Sequence, residues 1–158
     1  MKEYKANALR NVILLGHLGS GKTSLAESLA YISSAIDKKG SVEKKSTISD
    51  YTPEEHTKQS SLTTALIPIE FKETKINFLD APGADEMIGD ITYAMSAANA
   101  AVLVIDASSG VQVGTERMWL EIKKHNLPAM IFINKMDKEN IKFDELLEEI
   151  QTKLGKEA

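Results

Sequence analysis

A chain of 158 residues, 42% hydrophobic and 27% charged, can build one sizeable core and is too short for a second folded domain, so one unit over residues 1–158 is expected. The net charge of −4 argues against strong nucleic-acid binding by this domain alone, and the lack of cysteine excludes disulfides and thiolate metal sites. Asn99 and Asp106 interrupt the longest apolar run before it nears the roughly 20 residues that span a bilayer. Val12–Leu15 is too brief for the core of a signal peptide, so a cytoplasmic protein with no membrane contact is expected.

The first predicted strand, near 11–16, runs into Gly16-His17-Leu18-Gly19-Ser20-Gly21-Lys22-Thr23-Ser24, and a helix is predicted over Lys22–Ser34. Glycines let a backbone turn its amide hydrogens around phosphate oxygens, and the helix offers the positive end of its dipole to the same anion. Lys22 suits the β and γ phosphates, and the Thr23 hydroxyl suits a magnesium ion bridging them. A glycine-rich turn with no ligand is the alternative, and it requires neither the strand nor the helix.

Residues 37–64 follow, with Lys38, Lys39, Gly40, Ser41, Glu43, Lys44, Lys45 and Ser46 and little apolar content. This composition suits a mobile loop or a solvated linker. Strands are predicted near 62–71 and 74–80 as an antiparallel pair, with Pro68 placing the first at an edge. The second ends in Asp80-Ala81-Pro82-Gly83-Ala84. There the Asp80 carboxylate can reach magnesium through a water and the Gly83 amide can meet a γ phosphate, so that losing the phosphate relaxes the turn. A plain proline-glycine turn is the competing reading.

A helix over Glu86–Ala97 and a strand over 100–106 come next, then a helix capped by Thr115 and ending before Pro128, with Met118, Trp119 and Ile122 facing the sheet. The strand at 129–134 delivers Asn134-Lys135-Met136-Asp137 to its carboxyl end, where open α/β sheets bind ligands. Guanine offers adjacent donors, the N1 hydrogen and the N2 amine, and one ionised carboxylate accepts both. Adenine offers neither, so Asp137 favours guanine by roughly 3 to 6 kcal/mol. Asn134 can tie neighbouring loops together, and the stem of Lys135 can lie along the purine. An ATP-using protein would leave Asp137 without a task. In the last segment Phe143, Leu147, Ile150 and Leu154 recur at helical spacing and are expected in the core; His56 and His125 are expected at the surface. The alternation of strands and helices predicts an α/β fold, a mainly parallel sheet with helices on both faces.

His17 after Gly16, Met136 inside the base-reading motif, Ala101–Ala107 followed by Gly110–Glu116, and Pro128 before the base-reading strand extend the pattern beyond isolated motifs. From about Asn11 to Asp137 the chain resembles the nucleotide-binding domain of translational GTPases, elongation factor G and its paralogues. The resemblance implies a P-loop NTPase fold that binds GTP or GDP with Mg2+ and hydrolyses GTP to drive a conformational switch on the ribosome, through a full-length factor. It implies catalytic roles for Lys22 and Gly83, nucleotide contacts over residues 16–24, 80–84 and 134–137, and magnesium ligation by Thr23, Ser61 and Asp80.

Three places depart from that family. Ala84 stands where a histidine usually orients the attacking water, a loss on the order of 10² to 10³ in rate if nothing replaces it. This favours either slow intrinsic hydrolysis or a hydrolysis-deficient, GTP-dependent binding module. Lys58-Gln59-Ser60-Ser61 replaces an arginine-glycine pair followed two residues later by threonine, and Gln59 takes a positive φ less readily than glycine. Gly19 replaces an aspartate associated with a monovalent cation. The resemblance further implies a domain truncated before its last strand, last helix and last base-contacting loop. Strand 129–134 is then expected to leave an edge unpaired, with dimerisation through it.

Overall fold

In β1 (Leu9–Leu15) consecutive side chains enter different cores: Ile13 and Leu15 pack on one face, Leu14 on the other, and all three are buried. A strand covered on both sides needs helices above and below it. The computed structural model, which describes residues 2–156, has them. Its sheet is ordered β2-β3-β1-β4-β5, with β2 (Ala65–Phe71), β3 (Thr74–Asp80), β4 (Ala100–Asp106) and β5 (Ala129–Asn134). Only β2 runs antiparallel, in a hairpin with β3, and Pro68 lies on that edge strand as expected.

Helix α1 (Lys22–Ile32) lays Ala26 and Ala30 on the face carrying Leu14, Phe78, Val102 and Val104. Helices α3 (Ile88–Ala97), α4 (Val113–Lys124) and α5 (Phe143–Leu154) cover the opposite face through Ile91, Met95, Met118, Trp119, Ile122 and Ile150. Each such buried aliphatic or aromatic side chain contributes about 1.5 to 3 kcal/mol. Trp119 also donates its indole N–H to the Leu154 carbonyl at 2.6 Å, tying α4 to α5. Among the described residues no helix is long and apolar enough to cross a membrane.

Several expectations need correction. The segment read as a mobile loop or linker contains a helix, α2 (Pro53–Lys58). Thr115 does not cap α4. Gln112 is the N-cap, and its N–H donates to Thr115 Oγ1 at 3.4 Å. A short 3-10 turn at Asp85–Met87 precedes α3, which therefore starts at Ile88 rather than Glu86. In α5 the buried stripe is Leu146, Ile150 and Leu154, while Phe143 and Leu147 are exposed. His56 is half-buried, its Nε2 2.8 Å from the Asp50 carbonyl oxygen, and His125 is half-buried beside Glu121. The edge expected at 129–134 is present: β5 pairs only with β4 among the described residues, and Met130 and Phe132 are exposed.

Candidate functional site

Parallel strands bring their carboxyl ends to one rim of the sheet, and the loops after β1, β3, β4 and β5 gather there. The loop after β1 turns through Gly21, which has φ 96 and precedes α1 directly. A side chain at that position would be strained by the backbone and would collide with Asn134 Nδ2, so only glycine lets the β5 loop approach so closely. Lys22 curls back over the loop, donating to the carbonyls of Gly16 at 3.1 Å and His17 at 3.3 Å. Burial pushes its amine down to about 8, against the pull of Asp80 and Asp50. Beside it Ser20 Oγ is buried without a partner. The His17 ring packs on Gly114 at the start of α4, where a Cβ would lie 2.5 Å from Nδ1.

The turn after β3 meets the same point. A Cβ on Gly83 would come within 2.5 Å of Lys22 Nζ and 2.9 Å of Leu18 Cα, so the Gly83 backbone and the lysine amine share one corner. Asp80 is fully buried at the end of β3 and accepts from the Thr23 hydroxyl at 2.8 Å through Oδ2, while Oδ1 has no partner. Burial pushes this carboxyl up to about 6, against the Thr23 hydrogen bond and the Lys22 charge. Ser61 Oγ lies 3.2 Å from Thr23 Oγ1 and donates to Asp50 Oδ1 at 2.7 Å. Two hydroxyls and two carboxylates, one with an orphaned oxygen, make an oxygen-only donor set that fits a hard divalent cation.

A cavity of about 230 Å³ opens here. Leu18, Gly19, Gly21, Lys22, Thr23 and Ser24 form one wall; Val42, Glu43, Asp50, Gln59, Ser60 and Ser61 form the other; Gly83 and Lys135 complete it. Gln59 adopts φ 51 at the end of α2, so the left-handed conformation expected to suit glycine is taken here by glutamine.

The turn after β5 is joined to the first loop by its side chains. Asn134 Nδ2 donates to the Ser20 carbonyl at 3.0 Å, and Lys135 Nζ donates to the Gly19 carbonyl at 2.6 Å. Met136 and Asp137 are exposed and lie outside the cavity wall. Ala81, Pro82 and Ala84 line the β3 turn, and Ala84 brings only a methyl group to it.

Residues that the sequence reading assigned no role also shape the site. The Glu27 carboxylate, fully buried on α1, accepts from the backbone N–H groups of Gly40 at 2.9 Å and of Ile48. Buried Glu55 accepts from the N–H groups of Thr52 at 3.2 Å and Leu62 at 3.0 Å. These two acids tether the segment that carries Asp50 and Ser61. For Glu55 a signal existed: Thr52-Pro53-Glu54-Glu55 is a capping box with proline at the first helical position. For Glu27 none did, because its partners lie in an irregular segment.

Residues 7–158 match the family model described as elongation factor Tu GTP binding domain. A ribosome-releasing factor 2, mitochondrial, from Anopheles gambiae is 34% identical over 93% of this chain and 20% of its own length. The tetracycline resistance protein TetM from transposon Tn1545 of Enterococcus faecalis is 35% identical over 93% of the chain and 23% of its own length. A crystal structure of a Thermus thermophilus protein superposes with a TM-score of 0.89 at 40% identity, covering 92% of this chain and 22% of the other. The chain thus spans about a fifth of the length of these relatives.

Proposed function

The chain belongs to the elongation factor Tu GTP binding domain family, and we propose that it is the guanine-nucleotide switch unit of an elongation factor G-like translation protein, with residues 1–158 acting as one domain. The backbone of residues 16–24 and the Lys22 amine hold the phosphates. Gly83 presents its amide to the γ phosphate. Asn134 braces the loops, the Lys135 stem lies along the purine, and Asp137 accepts from its N1 and N2 hydrogens. Thr23, Ser61 and Asp80 would hold Mg2+, directly or through water. A bound Mg2+ supplies positive charge against the phosphate oxygens. Lys22, buried beside Gly83, carries a charge that stabilises negative charge growing on the β and γ phosphates as GTP passes to GDP.

One observation carries this reading: the β5 turn and the phosphate-type loop are hydrogen-bonded to each other at Asn134–Ser20 and Lys135–Gly19, so one nucleotide can reach both. Calorimetric titration with GDP, GTP and ADP, each with and without Mg2+, tests it. GDP is expected to bind at least about 10²-fold tighter than ADP, from the two charged hydrogen bonds at Asp137, and chelating the metal is expected to weaken GTP more than GDP. Equal affinity for GDP and ADP overturns the reading.

Ala84 favours a second reading, a binding module that switches by nucleotide exchange and hydrolyses little. In either case action on the ribosome belongs to a longer protein of which this domain is part, and a cytoplasmic setting is proposed with it. Two copies are also proposed to pair through the free edge of β5, residues 129–134, where Met130 and Phe132 are exposed. Light scattering over a concentration series is expected to register this as rising mass, and a constant monomer mass at high concentration removes it.

A further inference from the structure

Asp106 ends β4 as the register partner of Asn134 on β5, and it is only 7% exposed. A carboxylate so placed needs partners. Its Oδ1 accepts from the Ser108 backbone N–H at 2.9 Å and from the Ser108 hydroxyl at 2.7 Å. Its Oδ2 accepts from Lys135 Nζ at 2.7 Å and from Lys138 Nζ at 3.5 Å. Burial pushes this carboxyl up, but the hydrogen bonds from Lys135 and Ser108 outweigh it and hold the group at about 2. The anion therefore persists through the neutral range.

Its two lysine partners stand on either side of Met136-Asp137. The Lys138 N–H closes the turn on the Lys135 carbonyl at 3.3 Å, and Lys138 Nζ is held a second time by Ser108 Oγ at 2.8 Å. Lys135 has φ 59, a left-handed backbone that is uncommon for a residue with a Cβ. At the far end of its side chain the ammonium is shared between Asp106 and the Gly19 carbonyl.

We infer that Asp106 is a positioning residue for the base-reading turn: by gripping the ammonium groups at both corners, it sets the Lys135 stem and the Asp137 carboxylate before a purine arrives. This rests on the reading of the site as one for guanine nucleotides. A turn already fixed loses less freedom when the base binds, so affinity and base selectivity rise together.

The Asp106→Asn variant separates positioning from simple termination of β4. It keeps the side-chain size and an acceptor for Ser108 but loses the charge that holds both lysines. Two measurements on the full chain are needed. The first, without nucleotide, follows acetylation of lysine amines by an amine-reactive ester, read by peptide mass spectrometry with Lys44 as internal reference. Lys135 is expected to react about tenfold faster in the variant, the factor for losing one charge-assisted hydrogen bond. The second compares GDP with inosine diphosphate, which lacks the 2-amine that Asp137 would accept. GDP is expected to weaken about tenfold and the GDP-to-inosine-diphosphate ratio to narrow several-fold. Unchanged Lys135 reactivity overturns the inference whatever the nucleotide result, as does a parallel loss of both nucleotides with their ratio intact. A wild-type chain that prefers GDP to neither inosine diphosphate nor ADP defeats the guanine reading instead, and the acetylation result still decides whether Asp106 holds the turn.

Discussion

Replacing Asp137 by asparagine is expected to weaken GDP binding by about 10² to 10³-fold, from the chemistry of a single atom. The carboxylate has two acceptor oxygens for two guanine donors. An asparagine amide retains one acceptor, now uncharged, and turns an N–H toward the N2 amine, so a donor faces a donor. Asp137 is exposed in the free protein, where water satisfies either side chain equally, and the difference arises only once the purine excludes that water. Xanthine carries a carbonyl where guanine carries the amine. The variant is therefore expected to prefer xanthosine diphosphate to GDP, reversing the wild-type order. Titration of both proteins with GDP, xanthosine diphosphate and ADP reads this directly. A variant that binds GDP as the wild type does would mean that Asp137 never meets a base.

The reversal tests the part of the molecule that was most legible in the sequence. The strands at 74–80, 100–106 and 129–134 stand where the run of apolar residues placed them, because each is bounded by a glycine, proline or polar turn that permits few alternatives. The three loops that follow β1, β3 and β5 meet at one rim for the same reason: parallel strands leave their carboxyl ends together. Residues 37–64 were less legible. Charge and serine content pointed to a solvated loop, whereas buried carboxylates at Glu27 and Glu55 satisfy the backbone of an irregular fold. Such contacts cross from one element to another and leave no period in the sequence. Asp106 was hidden in the same way. At the end of an apolar run it reads as an interruption, and only the register of β4 with β5 reveals the two lysines it serves. Phe143 and Leu147 obeyed helical spacing yet lie outside the stripe that faces the sheet, which is set by Leu146, Ile150 and Leu154.

Whether this domain is an enzyme or a binding module turns on the residue after Gly83, and Ala84→His is expected to raise single-turnover hydrolysis of bound GTP by about 10²-fold. Gly83 shares a corner with the Lys22 amine, so position 84 is one residue from the proposed γ-phosphate contact. Its backbone is extended, with φ −84 and ψ 137, and it is half-buried ahead of the 3-10 turn. A methyl group there can neither orient a water nor take its proton; an imidazole can do both near neutral pH. Lys22 and the backbone amides act on phosphate charge in either protein, so GDP affinity is expected to change by less than about threefold. Ala84→Phe, of comparable bulk without hydrogen-bonding nitrogen, is expected to leave the rate where it was. A rate that stays flat in Ala84→His while GTP still binds would place the limitation elsewhere in the cavity, where Gly19, Gln59 and Ser60 also line the wall. A chain short of several polar contacts, with one restored to no effect, is better suited to holding GTP than to cleaving it.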